Sequence, residues 1–325
     1  MWWQNAASPM WSKARLYNRK FELLNMKRFF KMMFAAALLM LPLQSFAQQA
    51  EFVGEFQKGL REGSETKYEA MQGMAVRGDY VFSLQHSGIL TIYKYKGKSL
   101  KTINQFRIGS ANPVNHCNVL CFGTERFKPC DRYPVMYTSQ CHRKPFNGMK
   151  DVCFVERLLP GFKGSELVQT INFEDTDKLF GYALQWVVDC RNKLLIGYGN
   201  TIDNNNPANK HRIIAFRLPK LSEGSMVTLK NEDILYTYLL EDTYTEPFMP
   251  IGQGLCIRGD LLYMPTGFGT PEKPSILYIW NLAERKMEQV VDLSLCTESE
   301  FEDCDFWRGQ MLIQSQKGLW KLLSF

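Results

Sequence analysis

Three observations in the 325-residue sequence predict an all-β fold, a five-bladed β-propeller built from four-stranded antiparallel blades. The first is a repeat. Residues 71–93 read MQGMAVRGDYVFSLQHSGILTIY, and residues 252–280 open GQGLCIRGDLLYMPTG and close SILYIW. Gln72 and Gln253, Gly73 and Gly254, Arg77 and Arg258, Gly78 and Gly259, Asp79 and Asp260 recur at the same offsets. Each copy reads as strand, tight Gly-Asp turn, strand, loop, strand, the size and order of a propeller blade. The second is the near absence of helical periodicity after residue 48, where short apolar runs alternate with turn residues. The third is an incomplete end. The last unit stops one strand short, while an alternating strand at 51–56 stands alone ahead of the first unit, so the two chain ends can share a blade and leave no open edge.

Taken in order, the first blade has strands at 73–76, 80–84, 89–95 and 102–106, with turns at Arg77-Gly78-Asp79 and Lys96-Gly97-Lys98. The second has 117–122, 135–139, 151–158 and 167–173, and the third 186–189, 194–198, 212–218 and 234–240. The fourth is the second copy of the repeat, ending at 287–293. The fifth has 304–307, 311–315 and 319–323, completed by 51–56. Long polar loops at 140–150, 199–210 and 266–274 each join a second strand to a third. Trp186, Trp280, Trp307 and Trp320 are placed to fill space between blades.

The formal charge of +6 belongs to the N-terminal leader. Residues 1–47 hold seven Lys/Arg and one Glu, which leaves 32 basic and 32 acidic residues in the remainder. A net charge of zero gives the folded part no bulk attraction for nucleic acid or anionic lipid. Residues 26–47 follow signal-peptide grammar: a charged start at Met26-Lys27-Arg28, an apolar run at 32–43, and small residues Ser45 and Ala47 before Gln48. Residues 1–25 read as an upstream extension, with Met26 the working start and 48–325 a single domain. The apolar run is short for a membrane span, no second one follows, and the first Cys is Cys117, far from any lipid-anchor position. The mature chain is expected to be periplasmic or secreted. Of its nine Cys, Cys190, Cys256 and Cys304 sit where small buried strand residues belong. Cys117, Cys121, Cys130, Cys141 and Cys153 cluster in one repeat, where one or two disulfides could form.

If each first strand starts at one mouth of the channel, the residues opening those strands converge there: Gln72, His116, Gln185, Gln253 and Glu302, with Asp303 beside the last. All are polar where a plain core strand would begin apolar, and the three long loops land on the same face. That is a candidate pocket for a small molecule, glycan or peptide. Each Gln could equally tie one blade to the next. His116 and Glu302 are the candidate acid/base pair if the protein is an enzyme. Glu302, Asp303 and Asp305 could hold Ca²⁺ with Gln oxygens, although no EF-hand spacing is present. Zinc at His116, Cys117 and Cys121 is disfavoured because no CxxC occurs and strand alternation parts His116 from Cys117. There is no GxSxG, Walker A, HExxH or GxGxxG motif.

The segments QGMAVRGDYVFSL, GQGLCIRGDLLYMPTG and EFEDCDFWRGQMLIQSQKGLWKL resemble blades of exported bacterial β-propellers of uncharacterised function, in the broad NHL-like and TolB-like group. The likeness covers most of residues 51–325 and implies fold rather than chemistry. Gln72-Gly73 and Gln253-Gly254 are also similar to the blade openings of the five-bladed glutaminyl cyclase type, which implies a channel metal; the Cys-rich second repeat and His116 depart from that pattern. The functional expectation is ligand binding at the channel mouth, with a cyclase, lyase or hydrolase, or a scaffold for another exported protein, as alternatives.

Overall fold

The computed structural model describes residues 50–57, 69–141, 145–294 and 299–323; the leader and the upstream extension lie outside the described residues. Twenty-one strands are numbered here in chain order. Strand β1 (Ala50–Glu55) stands ahead of blade one, which is β2 (Met71–Arg77), β3 (Tyr80–Gln85), β4 (Ile89–Tyr95) and β5 (Leu100–Arg107). Arg77 pairs with Tyr80 across the Gly78-Asp79 turn, and Gly78 takes φ +62°, a left-handed conformation that costs a Cβ-free residue little. Blade two is β6 (Cys117–Phe122), β7 (Met136–Gln140), β8 (Cys153–Leu158) and β9 (Ser165–Glu174). Blade three is β10 (Tyr182–Asp189), β11 (Leu194–Asn200), β12 (His211–Arg217) and β14 (Tyr236–Leu239). Blade four is β15 (Cys256–Arg258), β16 (Leu261–Thr266), β17 (Ile276–Asn281) and β18 (Lys286–Asp292). Blade five is β19 (Phe301–Trp307), β20 (Gln310–Ser315) and β21 (Gly318–Leu322), and β1 pairs antiparallel with β21 to complete it.

The first strands of successive blades touch in turn, β2 to β6 to β10 to β15 to β19 and back to β2, so they line the axis. Five apolar cores fill the five seams between blades. Trp186 packs in the seam of blades two and three, Trp280 in that of three and four, Trp320 in that of four and five, while Trp307 packs against the seam of five and one. The last seam, with Met71, Met74, Tyr93 and Tyr95 against Leu312 and Leu319, closes the ring on itself. Burial in every seam drives closure, since an unpaired blade would leave one apolar face wet.

Two features depart from the sequence expectations. Residues 219–233, expected as a connection, carry β13 (Met226–Lys230), which pairs parallel with β9 and gives blade two a fifth strand. Leu229 buries in the adjoining seam, and Gln169 donates to the carbonyls of Lys220 and Gly224. The cysteine expectation also changes. All eight described cysteines are free thiols, so no bridge joins Cys117, Cys121, Cys130, Cys141 and Cys153. Cys117 faces the seam of blades one and two and Cys153 that of two and three, while Cys130 is exposed in the loop after β6. Cys190, expected to be buried, is exposed just past the end of β10.

Candidate functional site

Every axial strand carries one extra residue near its upper end. From Met71 to Met74, three steps on β2 oppose two on β3, and the same offset occurs from Cys117 to Leu120 and from Tyr182 to Gln185. In blade five, Phe301 to Asp303 opposes one step from Ser315 to Gln314. In blade four, Gly252 to Cys256 is four steps against three from Thr266 to Tyr263. A bulge bends its strand and re-aims the side chains beside it. In this ring the five bulges surround one mouth and turn polar side chains toward it.

Glycine permits the close approach that follows. A Cβ on Gly73 would lie 2.9 Å from Leu120 N and from Val119 C in the next axial strand. On Gly254 it would lie 2.5 Å from Asp303 Oδ1, 2.8 Å from Asp303 Cα, and against the Glu302 carbonyl. The repeated Gln-Gly pair thus couples a polar side chain at the mouth to a backbone that packs against its neighbour.

At mid-height four of the five axial strands meet on one carboxyl group. Asp303 Oδ2 accepts from Met74 N at 2.7 Å and Leu120 N at 3.2 Å, and Oδ1 accepts from Cys304 N at 2.9 Å and Leu255 N at 3.2 Å. Burial pushes the Asp303 pKa well up against the pull of these donors. One turn of side chains below, Asp305 accepts from Val76 N and Phe306 N, and burial raises it to about 6. Asp303 is therefore surrounded by donors, which suits a negative group and opposes a cation at the same point.

Above Asp303 lies a pocket of about 280 Å³. Of the residues expected at the mouth, Gln72, His116 and Gln253 line it, whereas Gln185, Glu302 and Asp303 stand behind its wall. Gln185 donates to the Gly252 carbonyl at 3.0 Å and joins blade three to blade four, the structural role open to any of these glutamines. Glu302 is fully buried and accepts from Gln72 Nε2 at 3.3 Å and from Gln316 Nε2. Burial and then the charge of Glu300 push its pKa well up, and the two carboxyl groups hydrogen-bond to each other.

Glu300, which the sequence reading passed over, is the member of the pair that faces the pocket. Its Oε1 accepts from Gln253 Nε2 at 2.6 Å, and burial raises its pKa as well. Gln253 Nε2 donates also to the Gly267 carbonyl at 2.8 Å, which anchors the loop that brings Phe268 to the pocket. Asn200 ends β11 and Asn204 lies in the loop after it, so two of the three long loops reach this face as expected. His116 is 9% exposed, and its ring lies 6.4 Å from that of His86. Gln72 Oε1, buried, has no hydrogen-bond partner among the described residues. The signal for Glu300 was present: it precedes Glu302 by two, at the approach to an axial strand.

The lower mouth differs. A cavity of about 330 Å³ there is lined by Arg77, Arg191, Arg258, Asp189, Asp305 and four cysteines. Arginines of the first hairpin turns reach from blade to blade around it. Arg191 bonds Asp260 at 3.3 Å, Arg258 donates to the Gly309 carbonyl at 3.0 Å, Arg308 bonds Asp79 at 3.0 Å, and Arg77 lies over the Phe122 ring at 5.8 Å. Among the described residues, no three His, Cys, Asp or Glu gather as a metal site, and no helix is long and apolar enough to cross a membrane.

No family model and no curated protein matches the chain. Similar solved structures include a tail fibre of Staphylococcus aureus phage P68, at 14% identity and TM-score 0.48, over 85% of this chain and 53% of that one. Raptor of Chaetomium thermophilum is 11% identical with TM-score 0.37, over 77% of this chain and 19% of that one. The computationally designed Ika8 protein is 7% identical with TM-score 0.33, over 78% of this chain and 95% of that one. The chain thus spans about half of the tail-fibre chain and about a fifth of the Raptor chain. The resemblances drawn from the blade motifs stay at the level of architecture, a five-bladed propeller.

Proposed function

We propose that this protein binds a small, hydroxyl-rich molecule, such as one sugar unit of a glycan, in the pocket at its upper mouth. One observation carries the reading: a buried carboxyl pair, Glu300 hydrogen-bonded to Glu302, is held by Gln72, Gln253 and Gln316 against that pocket. Glu300 offers acceptor oxygens and Gln72 Oε1 an unpaired acceptor, the complement of a ligand rich in O–H donors. Phe268, 41% exposed, supplies an apolar plane beside them. An exported setting rests on the leader at 26–47 and predicts a mature chain that begins at Gln48, which intact-mass measurement of the exported protein reads directly.

The test is a calorimetric titration of mono- and disaccharides into wild-type protein and into Gln253→Ala and Phe268→Ala. Saturable binding that both variants weaken supports the reading. A panel without binding, or binding indifferent to both variants, removes it. The carboxyl pair also favours a second reading, acid/base catalysis. In that case Glu300 contacts the substrate and the enclosed Glu302 sets its charge, rather than Glu302 acting with His116. Turnover abolished in Glu300→Gln with ligand binding retained is the result that would select it.

A further inference from the structure

The 32 basic and 32 acidic residues after position 47 cancel in number but not in space. On the lower face four blades join their first two strands by tight turns, as at Gly78-Asp79, whereas blade two inserts residues 123–135 between β6 and β7. The insertion is held in shape. Asp131 takes two bonds from Arg157, at 2.9 Å each, and one from Lys128 N at 2.9 Å. Glu125 accepts from Leu221 N at 2.9 Å, and its carbonyl accepts from Val135 N.

This ordered loop brings Arg126 and Arg132 into one groove with Arg77, Lys94 and Arg308, a space of about 670 Å³ between blades one, two and five. Asp79 is the single carboxylate among its lining residues, and Arg308 already occupies it at 3.0 Å. None of the other four cations forms an ion pair with a carboxylate among the described residues. Arg132 lies over the Tyr133 ring at 5.2 Å, which fixes its guanidinium plane while leaving its N–H edges to a ligand. Like charges gathered on a rigid frame repel one another unless an anion joins them.

We propose that this groove is a binding site for an oligoanion that presents two or more sulfate or phosphate groups. Three guanidinium forks suit the oxygens of such groups, and the uncompensated charge calls for more than one of them. The site is independent of the upper pocket and stands or falls separately from it. Sulfated saccharide and inorganic polyphosphate share this chemistry, and separate titrations distinguish them.

The experiment titrates inorganic tripolyphosphate and, separately, a heparin-derived sulfated tetrasaccharide into the protein by calorimetry. At least one is expected to bind, with its Kd rising about tenfold as NaCl goes from about 50 to about 300 mM, because screening shortens the reach of exposed charges. The double variant Arg126→Ala/Arg132→Ala, and Arg308→Ala on another blade, should each weaken binding, the double by about tenfold or more. Arg217→Ala, outside the groove, should not change it. Equal thermal midpoints show that the variants stay folded. The proposal is overturned if neither anion binds at the lower salt, or if binding persists in the double variant. Tight binding of a short oligodeoxynucleotide with no affinity for either small anion also overturns it, and assigns the face to nucleic acid.

Discussion

The two mouths of the channel are made from opposite ends of the same five strands, yet they carry opposite chemistry. The upper mouth gathers carboxyl and amide groups, Glu300, Glu302, Gln72, Gln253 and Gln316, many of them enclosed. The lower mouth gathers exposed arginines that bridge blade to blade. The difference lies in where the bulges fall. Each bulge sits at the upper end, so that end folds its polar side chains into the axis, whereas in four of the five blades the lower end leaves through tight turns that throw side chains outward. A chain with no net charge in its folded part is therefore polarised along its axis, and the overall count conceals this.

Asp303 separates the mouths, and removing it should have the largest effect. Asp303→Ala strands the N–H groups of Met74, Leu120, Leu255 and Cys304 in the axis. A loss of about 3–5 kcal/mol in urea unfolding is expected, since each buried donor left unmade costs about 1–3 kcal/mol and some will find partners. If the variant were as stable as wild type, Asp303 would not be the pin that divides the channel. Gly254→Ala comes next. Its Cβ meets Asp303 and the Glu302 backbone, so blade four must move from blade five. The expected cost is about 3 kcal/mol, with weaker upper-mouth binding and an unchanged lower groove. Gly259→Ala in the lower turn, where nothing lies within 4 Å, makes the contrast, because its cost comes from φ +65° alone.

What the sequence revealed and what it hid follow the same division between local and distant causes. Gln72-Gly73 and Gln253-Gly254 were legible because repeat, turn and strand are written in consecutive residues, and closure by the strand at 51–56 followed from counting. The bulges were not legible, since one extra residue shows only against a partner strand's register. For that reason Gln185 and Glu302, equivalent in pattern to Gln72, ended behind the pocket wall while Glu300 reached it. Asp303 read as a ligand residue because three of its four donors come from other blades. Blade two hid most. Residues 226–230 pair with a strand more than fifty residues earlier, and the insertion at 123–135 lies on the face opposite the three long loops.

The comparison can be sharpened by pH, since Asp305 sits on the lower side of the partition beside the influence of Arg77. Burial raises its pKa from 3.8 to about 6, with the N–H groups of Val76 and Phe306 and the charge of Arg77 pulling the other way. Between those values the folded protein keeps a proton that the unfolded chain has released. The stability from this group is thus complete below about 3.8 and is lost as pH rises toward about 6. Asp305→Asn holds the neutral form at every pH. Urea unfolding should show the variant gaining on wild type by about 1–2 kcal/mol as pH is raised from 4 to 7. Glu302 keeps its own slope in both proteins and cancels in the difference, whereas Asp303, which the charge of Asp305 helps to raise, is relieved in the variant and adds in the same direction. A constant gap across that range would mean that Asp305 is charged in the fold throughout, its burial offset by Arg77, and that the positive field of the lower mouth reaches up to the partition.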